Sequence, residues 1–132
     1  MLRWLFLALP LALMAGVALA GTAWAEAADW IGKAPYDLVQ SAEWREPLVA
    51  LLGRADLQRL QDAVVVADPI AQQGDWVVAV GCAPHQCGDV RGGVAISQAS
   101  GKVVAVLRDA DGVQVWGDPA DLPPGLAEIV QP

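Results

Sequence analysis

Residues that commonly carry chemistry are scarce in this 132-residue chain, which has one histidine and two cysteines. The cysteines do not form a CxxC pair, so a thioredoxin-like redox motif is excluded. No GxSxG, HExxH or glycine-rich phosphate loop occurs, and the usual marks of serine hydrolases, zinc proteases and nucleotide-binding enzymes are missing with them. There are no internal repeats and no low-complexity tract. Bases are also few: eight Lys and Arg stand against fifteen Asp and Glu, a net charge of −7. Such a surface repels nucleic acid and anionic lipid. It attracts a cationic partner, or serves only to keep the protein soluble.

What is present begins with an export signal. Met1-Leu2-Arg3 makes a short positive start, and Trp4 to Ala20 is almost unbroken apolar. Gly21-Thr22-Ala23-Trp24-Ala25 follows, with Ala23 and Ala25 as a small-x-small cleavage site. This is the pattern of a secretory signal peptide over residues 1–25, with cleavage after Ala20 as a second choice. The apolar run approaches membrane-spanning length. Small residues at its end, and no positive cluster beyond it, favour cleavage over anchoring. The expectation is a periplasmic protein with one domain over 26–132 and no membrane segment after cleavage. Losing Arg3 removes one base and no acid, so seven bases face fifteen acids and the mature charge becomes −8.

The mature chain changes texture once. Its first third carries apolar residues at mixed helical spacing: Tyr36, Leu38 and Val39, then Leu48, Leu51 and Leu52. Pro47 suits a helix N1 position, Gly53 a stop, and Asp56 a cap for a short turn with Leu57 and Leu60. From Ala63 on, valine dominates, and five strands are expected at 63–67, 75–81, 90–97, 102–108 and 113–116. Turn residues separate them at Gln72-Gln73-Gly74, Ala99-Ser100-Gly101 and Asp111-Gly112. Connections this short join antiparallel neighbours. Gly92-Gly93 inside a strand points to a bulge or a close backbone approach. Leu126 to Val130 closes the chain as a last helical turn after Pro123-Pro124. The fold class is α+β, an antiparallel sheet of about five strands flanked by short helices.

Both cysteines and the only histidine fall in one stretch, Gly81-Cys82-Ala83-Pro84-His85-Gln86-Cys87-Gly88-Asp89, between two expected strands. In an oxidising compartment Cys82 and Cys87 pair. A ring of six residues stabilises by only about 2 kcal/mol, so its use is to shape the loop. Three readings of His85 follow. A metal site with Cys82 and Cys87 would need reduced thiols and a further ligand, and no second Cys or His cluster supplies one. A catalytic site would need a nucleophile and a base held by a partner, and nothing arranges them with His85. A binding finger needs only a rigid loop with one versatile side chain, and a closed loop loses little entropy on entering a cleft.

The run Cys82-Ala83-Pro84-His85-Gln86-Cys87 resembles the Cys-Lys-Pro-His-Asp-Cys loop of the inhibitors of vertebrate lysozyme, the Ivy family. The resemblance is clearest from Asp75 to Pro119 and takes in the strand–loop–strand setting and the Trp-Gly-x-Pro at Trp116 to Pro119. It implies an exported, cofactor-free protein that is not an enzyme and whose loop histidine plugs the active site of lysozyme, a cationic partner. Ala83 stands where the family has lysine and Gln86 where it has aspartate, which bears on potency and on the choice of target. Two rival readings stand beside this one. One is a binding module of the same fold with another partner, such as an endogenous peptidoglycan hydrolase; the other is an enzyme using His85 as a general base. The sequence is compatible with a monomer or a homodimer.

Overall fold

The helical third and the valine-rich remainder meet as layers in the computed structural model, which describes residues 27–131. The segment expected to be a signal peptide, residues 1–25, lies outside the described residues. Among the described residues, after helical residues 27–28, come three short helices: α1 (Pro35–Val39), α2 (Ala42–Leu52) and α3 (Arg54–Asp62). Five strands follow: β1 (Ala71–Gln73), β2 (Trp76–Cys82), β3 (Arg91–Ser97), β4 (Val103–Asp109) and β5 (Gly112–Trp116). A 3-10 turn at Pro119–Asp121 leads into α4 (Pro124–Val130). The sheet is a plain antiparallel meander in the order β1-β2-β3-β4-β5, as short connections require.

Helices cover both faces of this sheet. Leu38, Trp44, Leu48, Leu57 and Leu60 of α1–α3 pack on Val77, Ala79, Val94, Ile96 and Ala105. On the opposite face, Leu126 and Ile129 of α4 pack on Val78, Ala95, Val104 and Val106. Successive strand residues therefore face different cores. This explains why β2 to β4 read as runs of apolar residues and not as an apolar–polar alternation. Gly92 and Gly93 let both layers approach. A Cβ at Gly92 would lie 3.0 Å from Ala63 Cβ and from Leu60 Cδ1, and one at Gly93 would lie 2.8 Å from Val80 Cγ1 and 3.2 Å from Leu126 Cδ1. The β2–β3 register runs unbroken through both, so the pair marks close approach and not a bulge.

Polar ties hold the layers in place. The Arg59 guanidinium in α3 donates to Asp109 Oδ2 in β4 at 2.5 Å, to Asp56 Oδ1 at 2.7 Å and to Gln114 Oε1 in β5 at 2.8 Å. At the start of α4 the Gly125 N–H, an orphan donor of the first turn, reaches Gln73 Oε1 at 2.8 Å. At its end the Ile129 carbonyl accepts from Arg108 Nε at 2.7 Å.

Local expectations are corrected in three places. Residues 63–67 are not a strand: the Ala63 and Val64 N–H groups bond back to the α3 carbonyls of Arg59, Leu60 and Gln61, and only Val66 makes a bridge, to Cys82. The edge strand is instead β1, built from residues expected to turn. Pro69 intervenes and has no N–H for a continuous ladder, and Ile70 is tied to Lys33 and Gly32 by two backbone bonds of 2.8 Å. Pro47 lies inside α2, because Ser41 caps that helix by accepting from Trp44 N–H at 3.2 Å. Asp56 is a first-turn residue of α3 and not its cap, a place taken by Gly53.

Candidate functional site: a disulfide-closed loop with a histidine at its tip

The hairpin between β2 and β3 ends its register at Cys82 opposite Arg91. One further bond, from Ala83 N–H to the Val90 carbonyl at 3.1 Å, carries it outward. Two turns then fold the tip. Gln86 N–H donates to the Ala83 carbonyl at 3.0 Å, while Asp89 and Val90 N–H both donate to the Gln86 carbonyl, at 2.9 and 2.8 Å. The disulfide between Cys82 and Cys87, with Cα atoms 4.8 Å apart, ties the first turn to the end of β2.

Pro84 is the second residue of the first turn, where its fixed φ fits, and His85 is the third, at φ 63°. That pairing is the mark of a type II turn, whose third position normally falls to glycine. His85 is the only non-glycine residue with positive φ among the described residues. The left-handed region costs an L-residue roughly 1–2 kcal/mol. A loop built only to turn would use glycine, so the imidazole is held at the tip against that strain. Strain of this kind is a feature of functional sites.

Of the six residues singled out in the sequence, Pro84, His85, Gln86 and Cys87 are exposed. Cys82 is half-buried at the base, and Ala83 is 7% exposed beneath the turn. The two sulfurs are consumed in the bridge, which removes the thiolates that a Cys82–His85–Cys87 metal set would need. Among the described residues, no group of three or more His, Cys, Asp or Glu side chains is gathered as a metal set. Among them, too, no helix is long and apolar enough to cross a membrane.

The loop stands between two open clefts. One, about 430 Å³, runs along Gln86, Gly88, Asp89 and Val90 to Arg108, Asp109 and Ala110. Asp109 there has its carboxyl held below the usual carboxylate range, first by the Arg59 guanidinium and then by the Asp111 N–H. Arg59 is raised in turn, chiefly by its hydrogen bond to Asp109. The other cleft, about 380 Å³, lies between the disulfide and the segment Val66–Asp68.

Reasoning from sequence missed that segment. Val66 N–H donates to the Cys82 carbonyl at 3.0 Å and Cys82 N–H to the Val66 carbonyl at 2.8 Å. Gly81 permits the crossing, since a Cβ there would lie 2.7 Å from Val66 O and 2.9 Å from Val64 Cα. The signal was available in a glycine beside Cys82 and a valine run too short to span a sheet edge before Pro69.

The class the structure defines is an α+β domain that projects a covalently closed loop with the histidine at its tip. Comparison makes the class particular: residues 43–132 match the model of the inhibitor of vertebrate lysozyme (Ivy) family. The match spans more than half of the chain, and the chain belongs to that family, whose general function is lysozyme inhibition. No curated protein and no solved structure gives a match.

Proposed function

We propose that the mature chain acts in the periplasm, where it protects peptidoglycan by placing His85 in the active site of lysozyme. The observation that carries this reading is His85 itself: exposed, strained at φ 63°, and fixed at the tip of a disulfide-closed turn. Lysozymes cleave glycosidic bonds with two carboxyl groups, one the acid and the other a nucleophile or stabiliser. An imidazole carries nitrogens on opposite edges and can bond to both groups at once. As a cation it is favoured between two acids by charge. No bond breaks in either protein, because the loop occupies the place of the substrate.

The rigidity of the loop matters to affinity. Two turns, a proline and a disulfide order it before contact, so little conformational entropy remains to be lost on binding. The acidic surface adds long-range attraction for a cationic enzyme, which acts mainly on the rate of encounter.

The test is a titration of lysozyme activity with wild type and His85→Ala, with circular dichroism as the folding control. Truncation leaves two carboxyl groups covered and unpaired at the centre of the interface, where the cost is about 2–4 kcal/mol. That corresponds to roughly thirty-fold to several-hundred-fold in affinity. Equal inhibition by two folded proteins would remove the histidine from the mechanism. Turnover of a wall fragment by the protein alone would favour an enzyme instead.

A further inference from the structure

We infer that the cleft between Val66 and the Cys82–Cys87 disulfide is a second contact with lysozyme, taking an apolar side chain from the rim of the enzyme's active-site cleft. The inference rests on the reading of His85 as the plug. Four large apolar residues among the described residues are more than a third exposed: Ile31 (39%), Val65 (43%), Val66 (46%) and Val113 (38%). Single exposed apolar residues call for no explanation. Val66, however, lies beside the base of the loop as the bridge partner of Cys82, and it is the most exposed of the four.

The placement of Val66 is fixed by the backbone. Its two hydrogen bonds, at 3.0 and 2.8 Å, make it the antiparallel bridge partner of Cys82. Directly opposed residues of such a pair share one face, so the valine side chain lies on the side of the disulfide. Val66 and the disulfide form walls of one cleft of about 380 Å³, with Ala67, Asp68 and Gly81. Both walls hang from Cys82, so the cleft and the His85 tip keep a constant spacing.

That continuity selects the occupant. A loop that seats its tip at the bottom of an enzyme cleft brings the cleft's rim down onto the loop's flanks. Val66 is the exposed apolar side chain on one of those flanks. Asp68 lines the same cleft and presents a carboxylate to a cationic enzyme surface, but so does Arg91 present its base. Apolar area therefore carries the contact, and charge only orients it.

The experiment measures rate constants and affinity of wild type, Val66→Ser, Val66→Leu and His85→Ala on a purified cationic lysozyme, with thermal melting and sedimentation of each free protein. Burying the exposed half of a valine corresponds to about five-fold in affinity, so Val66→Ser should lose that much, mostly through faster dissociation. Val66→Leu should stay within about two-fold, because apolar area is kept. Both should melt like wild type, since the side chain is exposed in the free protein. Unchanged binding by Val66→Ser alongside loss in His85→Ala overturns the second contact and leaves the plug standing. Full binding by His85→Ala overturns the plug, and this inference with it. Altered sedimentation of Val66→Ser with unchanged affinity assigns the surface to self-association and also overturns it.

Discussion

At the scale of the residue, His85 sets local stability against the function proposed for it. Its φ of 63° belongs to glycine by preference, yet the chain places its only imidazole there. Replacing His85 with glycine should relieve a strain of roughly 1–2 kcal/mol. Glycine's greater freedom in the unfolded chain offsets about 0.5–1 kcal/mol of that gain. The net expectation is a variant more stable by about 0.5 kcal/mol that no longer inhibits. Thermal melting and an inhibition assay on the same preparation check it, and a lower melting point would dismiss the strain argument. Ala83 and Gln86 differ in kind from the histidine. Ala83 is 7% exposed under the turn, so a lysine there has to lead its stem out past the turn to reach a partner.

At the scale of the element, the loop is a short hairpin whose end is closed by covalent chemistry. Cys82→Ser with Cys87→Ser removes the ring but leaves the turn bonds from Gln86, Asp89 and Val90 in place. The expected loss of stability is at most about 2 kcal/mol, because a six-residue ring restricts the unfolded chain little. Inhibition should fall by thirty-fold or more, as in His85→Ala, because the tip then has to be ordered on binding. A double variant that melts far lower yet inhibits like wild type would show that the ring serves stability instead. Helices and strands were legible to different degrees. Strands β2 to β5 fall within a residue of their expected limits, since valine runs and Gly-containing turns bound them. The 63–67 run was misread because β-branched residues also suit a segment that leaves a helix and crosses a sheet end. Pro47 was misread because the Ser41 cap and packing of Trp44 and Leu48 keep α2 helical through one lost hydrogen bond.

At the scale of the molecule, charge and the ties between layers act together. The chain from Glu26 onward carries fifteen acids against seven bases. Association with a cationic lysozyme should slow markedly as salt rises from low to physiological ionic strength, while dissociation changes little. An on-rate that stays flat across that range would take the acidic surface out of the mechanism. The Arg59–Asp109 pair gives the fold an acid-sensitive tie between α3 and β4. Because the folded state holds the Asp109 carboxyl below its ordinary range, the stability it adds is present above about pH 4 and is lost as pH falls through the folded value. Arg59 and Asp109 keep 36% and 21% of their side-chain surface in solvent, so the effect is modest. Asp109→Asn should melt about 2–4 °C below wild type at pH 7, with the gap closing below pH 4. A gap of constant size across that range would mean that packing, and not charge, accounts for it.

The sequence by itself determined the fold class, the antiparallel order of the strands and the place of the disulfide-closed loop proposed to carry the function. Each of these depends on residue type and short spacing: valine runs, tight turns, two cysteines with four residues between them, and a proline before the histidine. Tertiary structure alone decided what surrounds the loop. The left-handed backbone of His85 follows from the bond between Gln86 and Ala83 together with the closed ring. The ledge at Val66 exists because Gly81 leaves room for a chain segment distant in sequence to pair with Cys82. Such contacts are settled by where the α3 helix ends over the sheet, a long-range geometry that no local pattern encodes.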